Sequence, residues 1–84
     1  MPRYTVLWHR DAVSDLAEIW VEANDRNALT QACNAIDRTL ASSPESAGHE
    51  LAEGLRVLVA PPLQILFVCR EQDCIVEVVR IKLI

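Results

Sequence analysis

Long apolar runs and a cysteine framework are both missing from this chain of 84 residues. The longest apolar stretch, Leu55–Phe67, is interrupted by Arg56, Gln64 and two prolines, and it is shorter than the roughly 20 residues that a membrane-spanning helix needs. The first ten residues carry Arg3 and Arg10 without the apolar segment of a secretory signal between them. We therefore expect a cytoplasmic protein with no membrane partner.

Cysteine is present only as Cys33, Cys69 and Cys74, an odd number with no CxxC pair. Disulfide scaffolds usually carry an even number of cysteines at closer spacing. The two histidines, His9 and His49, lie far from the cysteines in the sequence, so the ligand spacing of a zinc site is missing. We expect small, partly buried thiols, no metal site and no cofactor.

The composition is that of an ordered globular chain, with 51% hydrophobic and 24% charged residues. The length permits one domain, residues 1–84. The net charge of −4 argues against a general nucleic-acid binder. The charge is unevenly spread, however, because residues 1–53 carry nine acids and four bases whereas residues 54–84 carry three acids and four bases.

The first half of the chain predicts one strand and two helices. Arg3–Trp8 alternates with the period of a strand. Asp11–Ala23 and Ala28–Leu40 have helical periodicity, and the join Asn24–Asn27 contains residues that end and cap helices. So short a join predicts an antiparallel helical hairpin. The predicted apolar stripes are Ala12, Leu16, Ile19, Trp20 and Ala23 in the first helix and Leu29, Ala32, Cys33, Ile36 and Leu40 in the second.

Four carboxylates, Asp11, Asp15, Glu18 and Glu22, share another side of the first helix. Paired catalytic carboxylates need a pocket that gives them different environments, and an exposed helix face offers none. We interpret this row as a solvated acidic face. Asp11 and Asp15 also suit the positive end of the helix dipole.

The second half of the chain predicts a sheet. After a loop rich in turn formers at residues 42–49, the strand pattern covers Leu55–Ala60, Leu63–Arg70 and Cys74–Leu83, the last two joined as a hairpin. The predicted fold is α+β in the order β-α-α-β-β-β, with a three-stranded antiparallel meander after the helical hairpin. The predicted core contains Leu16, Ile19, Trp20, Ile36, Leu40, Val57, Ile65, Phe67 and Val79.

Strand alternation separates an apolar face, turned toward the helices, from a mixed face. The apolar face is predicted to carry Leu55, Val57, Val59, Leu63, Ile65, Phe67, Cys69, Ile75, Val79, Ile81 and Leu83, with one charge, Glu77. The mixed face is predicted to carry Arg56, Gln64, Arg70, Arg80 and Lys82, with Arg3 beside them and Leu58, Leu66, Val68, Val76 and Val78 among them. A local basic patch can bind an anionic partner despite the negative total charge, because salt screens distant charges. We read this face as a covered interface; the alternative is that the chain buries both faces itself, with the arginines at strand ends.

Three segments, in this order, resemble the RelE/ParE superfamily of toxins from bacterial type II toxin–antitoxin systems. They are YTVLWHRDAVSDLAEIW, SSPESAGHELAEGLRVL and LQILFVCREQDCIVEVVRIK. The first is similar to the family's opening strand and helix, the second to its proline–glycine loop before a Leu-Arg strand start, and the third to its terminal hairpin. Ile19 and Trp20 in the helical hairpin are more similar to the ParE type than to the RelE type.

The resemblance implies a curved, mostly antiparallel sheet with a helical hairpin on one side, and a role in plasmid stabilisation or a related system. It implies a toxin neutralised by a cognate antitoxin. ParE-type members bind DNA gyrase, which is the target we expect, whereas RelE-type members cleave messenger RNA on the ribosome. Both a RelE-type nuclease and an inactive member that only binds an antitoxin remain alternatives, and the mixed face could also form a homodimer.

Two departures from the RelE pattern favour binding over RNA cleavage. Gln64 stands where RelE-type nucleases place an arginine, and the last strand ends at Ile84, where the family's terminal catalytic side chain would follow. The catalytic residues therefore stay unassigned, with Arg56, Arg80 and Lys82 as candidate anion contacts alongside Gln64 and Arg70. His9 is explained more simply by its position at the start of the first helix.

Overall fold

Two helices and five strands make up the computed structural model, which describes residues 3–84. The order β-α-α-β-β-β-β confirms the predicted α+β class and adds one strand to it. The elements are β1 (Thr5–Trp8), α1 (Arg10–Glu22), α2 (Arg26–Ser42), β2 (His49–Ala52), β3 (Leu55–Ala60), β4 (Leu63–Arg70) and β5 (Ile75–Leu83), with a 3-10 turn at Glu71–Asp73.

Side-chain caps determine where the helices begin. The His9 Nδ1 atom accepts a hydrogen bond from the backbone N–H of Asp11 at 3.1 Å, which satisfies a free donor at the start of α1. Asp25 caps α2 in the same way, through its Oδ1 atom and the N–H of Ala28 at 3.0 Å. Arg26 then donates to two carbonyls of the last turn of α1, so the join is held at both ends. In the described part of the chain, neither helix is long and apolar enough to cross a membrane.

The five strands form one sheet in the order β1-β5-β4-β3-β2. β1 runs parallel to β5, and every other neighbouring pair is antiparallel. The extra strand, β2, was not predicted because all four of its residues are exposed and give no apolar alternation. It pairs with β3 through a tight turn at Gly54, whose φ of 79° suits glycine.

The core lies between the helices and one face of the sheet, and β4 forms its centre. Leu63, Ile65 and Phe67 are fully buried, as predicted, together with Ile36 and Leu40 of α2. The predicted core residues Leu16 and Ile19 of α1 are half-buried and pack against this cluster.

Trp20 was predicted in the core, and that prediction is wrong: its side chain is 39% exposed. Consecutive helix residues are rotated by about 100°, so when Ile19 points toward the core, Trp20 is turned toward the rim. The inward direction belongs to Ala12, Leu16 and Ile19, which leaves Trp20 at the rim.

The face assignment of β3 was also wrong. Ala60 pairs with Leu63 across the two-residue turn, so Ala60, Leu58 and Arg56 share the helical face with the β4 core residues. Val57 and Val59 therefore lie on the opposite face, although Val57 is still only 6% exposed. The alternation of β3 is ambiguous because both of its faces carry apolar residues.

A β-bulge overturns the assignment for the first half of β5. Phe67 pairs with Val78 while Leu66 pairs with Arg80, which leaves Val79 as an extra residue without a partner in β4. The bulge reverses the alternation, so Val76 and Val78 are buried in the core in place of the predicted Val79. Past the bulge the prediction holds, and Ile81 is buried.

Gly48 lies where the loop before β2 passes against the backbone of β3. Its φ is 61°, and a Cβ atom built there would lie 1.7 Å from the carbonyl oxygen of Val57. Gly54 also has a positive φ, but no atom lies within 4 Å of its virtual Cβ. A substitution at Gly54 therefore tests the backbone strain alone, whereas a substitution at Gly48 tests the strain together with the steric contact.

We expect Gly54→Ala to lower the free energy of unfolding by about 1–2 kcal/mol, the ordinary cost of a left-handed residue with a side chain. Gly48→Ala should cost more, because it adds the collision with the β3 backbone to the same strain. Urea unfolding of both variants measures the difference. Equal losses would show that the loop can move away from Val57 freely.

Candidate partner-binding face

The sheet face that points away from the helices, here called the open face, contains a groove of about 550 Å³. Four strands contribute to it. Its lining consists of His49, Leu51, Val57, Val59, Gln64, Leu66, Arg80, Ile81 and Lys82.

Cross-strand pairing brings these side chains together from distant parts of the sequence. Gln64 of β4 pairs with Lys82 of β5, and the next row on the same face pairs Leu66 with Arg80. Leu66 also pairs with Val57 on its other side. Because paired residues project to the same side of a sheet, the groove has an apolar middle and polar groups along β5.

The apolar part of the groove is incompletely covered by the chain. Val57 is buried and Leu66 half-buried, but Leu51 is 59% exposed and Val59 is 47% exposed. Two large aliphatic side chains in water beside cationic groups are typical of an interaction surface.

Arg80 is held at the edge of the groove by a carboxylate of α1. Its Nε and Nη2 atoms donate to the two carboxylate oxygens of Asp15 at 2.8 Å and 3.0 Å. The same carboxylate accepts the backbone N–H of Ile81 at 2.9 Å. The hydrogen bond from Arg80, and then that from Ile81, lowers the pKa of Asp15 below its usual range. We call this arrangement of Asp15, Arg80 and Ile81 the edge clasp.

The edge clasp exists because β5 is longer than its neighbour β1. The pairing ends at Trp8, opposite Val78, and the His9 N–H makes the last backbone bond to Val78 before the chain turns into α1. Beyond that point β5 has a free edge. Asp15 satisfies the N–H of Ile81 there, so a helix side chain replaces the missing strand.

Three of the predicted site residues meet in the groove, whereas Arg70 and Arg56 lie elsewhere. Gln64, Arg80 and Lys82 meet in the groove, as predicted. Arg70 shares the open face but lies at the other end of β4, where its Nη2 atom is 4.0 Å from Glu77. Lys82 is exposed and makes no ion pair within residues 3–84.

Arg56 was predicted on the open face, and the structure corrects this. Its Nε atom donates to the carbonyl of Ala47 at 3.1 Å and its Nη2 atom to the carbonyl of Gly48 at 3.4 Å. The side chain therefore anchors the loop before β2 on the helical side. The correction follows from the β3–β4 turn, which fixes the face of every β3 residue.

His49 is the groove residue that the sequence reasoning missed. It pairs with Val57 and lines the same groove as Gln64 and Lys82. The signal that could have found it is Gly54, two residues past β2, which is typical of a tight hairpin. His9, by contrast, caps α1, as its position suggested.

The cysteines lie outside the groove. The three cysteines are free and half-buried, as expected. Burial raises the pKa of the Cys33 and Cys69 thiols, which disfavours the reactive thiolate. Within residues 3–84, no group of three or more His, Cys, Asp or Glu residues could hold a metal ion.

Solved structures with the same architecture include chains of two toxin–antitoxin systems. A chain of the RelBE2 toxin–antitoxin complex from Mycobacterium tuberculosis matches with a TM-score of 0.83 and 18% identity, over 100% of this chain and 94% of that chain. A chain of the chromosomal ParDE system from P. aeruginosa matches with a TM-score of 0.69 and 21% identity, over 96% of both chains. A conserved hypothetical protein from Helicobacter pylori gives a TM-score of 0.60 and 14% identity, over 94% of this chain and 92% of that one.

These likenesses confirm the predicted RelE/ParE-like fold. By sequence, no protein-family profile and no curated protein matches the chain. At identities of 21% and below, the shared fold alone is established, and the site must be argued from its own residues.

The edge clasp makes stability depend on pH in a defined direction. Because folding lowers the pKa of Asp15, its contribution is fully present above the unfolded value of about 3.9 and is lost as pH falls through the lower folded value. Asp15→Asn should therefore lower the melting temperature at neutral pH, and the gap to the wild type should narrow in acid. Thermal melts from neutral pH into acid test this, with Glu22→Gln on the same helix as the control. A gap that stays constant with pH would contradict the clasp.

Proposed function

We propose that this chain is the toxin component of a type II toxin–antitoxin pair, that it acts by binding a cellular target, and that a cognate antitoxin neutralises it by covering the open face. The observation that carries the proposal is the likeness over the whole chain to a chain of a toxin–antitoxin complex, at a TM-score of 0.83. The groove on the open face supports it, because exposed Leu51 and Val59 beside Lys82 offer a partner both apolar area and a cation.

The groove indicates the chemistry of that partner. Burying a fully exposed aliphatic side chain is worth about 1.5–3 kcal/mol, and Leu51 and Val59 still have about half of that to gain, so the partner should bring apolar side chains to the middle of the groove. Lys82 at the rim calls for a carboxylate nearby. A short acidic segment with apolar anchors satisfies both demands, and such a segment folds on binding if it is disordered alone.

For the cellular target we propose DNA gyrase, on the resemblance to the ParE type. The groove supports a binding role. Gln64 carries no charge, and the edge clasp engages Arg80 with Asp15, so Lys82 is the groove cation without an ion pair in the described chain. An RNA-cleaving site needs cations for the phosphate and a paired acid and base, which is more than this set supplies.

A second candidate function, messenger RNA cleavage, is favoured by one observation. His49 lines the groove together with Lys82 and Arg80. Imidazole is the side chain best suited to proton transfer near neutral pH, and a lysine beside it could hold a phosphate. This candidate makes His49 the catalytic residue.

Inducible expression in bacteria distinguishes the two candidates. Binding to gyrase predicts growth arrest that survives His49→Ala and inhibition of supercoiling by the purified chain. Cleavage predicts that His49→Ala abolishes the arrest and that transcripts are cut on translating ribosomes. Expression without any effect on growth would refute both, and would favour the third expectation from the sequence, an inactive chain that binds an antitoxin.

Co-expression with the reading frame next to the gene identifies the antitoxin. The arrest should disappear when both proteins are made, and the two should purify together. If the arrest persists and no complex forms, that neighbour is not the antitoxin.

For the complex we expect Val59→Asp to abolish binding, because it places a charge in the apolar middle of the groove. Lys82→Glu should weaken binding by about two- to fivefold at low salt and flatten its salt dependence, because it removes one exposed ion pair. Titration calorimetry against the antitoxin at two salt concentrations measures both effects. Arg38→Glu, the same charge change at an exposed position of α2, is the matched control. Unchanged affinity in Val59→Asp would place the antitoxin elsewhere.

A further inference from the structure

α1 carries a second apolar stripe that the core does not use. Val13, Ala17, Trp20 and Val21 recur at the helical spacing i, i+4, i+7 and i+8, and all four are exposed. The exposed fractions are 53% for Val13, 39% for Trp20 and 73% for Val21. We call these four residues the outer stripe.

The outer stripe is separate from both the core and the acidic residues of α1. At about 100° per residue, its centre lies roughly 125° from the inward-facing Ala12 and roughly 135° from the mean direction of Asp11, Glu18 and Glu22. A binding partner can therefore cover the stripe without burying a carboxylate, which would be costly.

The order of residues along the stripe is self-complementary. Val13 and Val21 lie four residues on either side of Ala17. If a second α1 packs antiparallel about a two-fold axis through Ala17, each Val13 meets the partner's Val21 and the two alanines meet at the crossing. A small residue at the crossing lets two helices approach closely. Trp20 then lies over the partner's Ser14.

We propose that the outer stripe is a homodimer interface, formed by antiparallel packing of two α1 helices centred on Ala17. The charges at the helix ends agree with this direction. Arg10 stands at one end and makes no ion pair within residues 3–84, while Glu22 and Asp25 stand at the other. Antiparallel packing brings each Arg10 toward the partner's acidic end, whereas parallel packing would oppose like charges and align the helix dipoles.

The size of the stripe makes this a weak dimer. α1 has 13 residues, a length of about 20 Å, so the interface falls at or below the lower end of the range for stable complexes, about 1,200 Å². We expect a dissociation constant in the micromolar range. The interface does not use the open face, so the dimer would present two grooves to a partner.

Sedimentation equilibrium of the full chain across micromolar concentrations tests the proposal, which stands independently of the proposed function. The wild type should shift from monomer to dimer. Ala17→Glu sets two carboxylates against each other on the two-fold axis and should raise the dissociation constant at least tenfold. Asn34→Glu, the same charge change at an exposed position of α2, should leave the dissociation constant unchanged. Circular dichroism should show that both variants keep the fold, since both positions are exposed helix residues.

Cross-linking tests the antiparallel register. In Ala17→Cys, oxidation should produce a covalent dimer, because the axis places the two thiols together. The wild type, with half-buried Cys33, Cys69 and Cys74, and an Asn34→Cys variant should give little. A wild type that stays monomeric, a dimer that survives Ala17→Glu, or a failure of Ala17→Cys to cross-link would each overturn the proposal.

Discussion

The edge clasp is the interaction on which the orientation of α1 depends. Asp15 receives three hydrogen bonds, two from Arg80 and one from Ile81, and is therefore fixed against the free edge of β5. Because these hydrogen bonds are 2.8–3.0 Å long, they restrict the rotation of α1 about its own axis. That rotation turns Ala12 into the core and Trp20 to the rim. The clasp and the packing of Ala12, Leu16 and Ile19 against the core thus favour the same rotation of α1, which leaves the outer stripe exposed.

Apart from β2, the secondary structure followed from local patterns, whereas the faces of β3 and of the first half of β5 did not. The bounds of β3 and β4 agree with the prediction because β-branched and aromatic runs lie between turn residues. The face of β3 depends on its register with β4, and the face of β5 depends on a bulge at Val79. Register and bulges are set by pairing between strands, which the period of a single strand does not contain.

The candidate site was predictable where strand alternation is regular, and not where it depends on pairing between strands. Gln64 and Lys82 were placed together correctly because both lie where the alternation is regular. Arg56 was misplaced by the ambiguous face of β3, and His49 was missed because β2 has no apolar pattern. When two residues connect a pair of antiparallel strands, the residues on either side of the connection pair with each other, and their side chains project to the same face of the sheet. Applied at the Pro61–Pro62 turn, that constraint corrects Arg56. At the Glu53–Gly54 turn it pairs Ala52 with Leu55, but a bulge at Leu51 shifts the register so that His49 pairs with Val57, and the turn alone does not predict that shift.

The clasp also changes what the open face can recognise. The sequence suggested several cations on that face. In the structure, two N–H donors of Arg80 are engaged by Asp15, and Arg70 lies at the far end of β4. What remains in the groove is one lysine without an ion pair beside exposed Leu51 and Val59. Recognition must then rest on apolar burial, with charge setting orientation, because an exposed ion pair adds little. A phosphate backbone is bound mainly through several free cations, so this balance of groups supports the proposed protein segment over RNA.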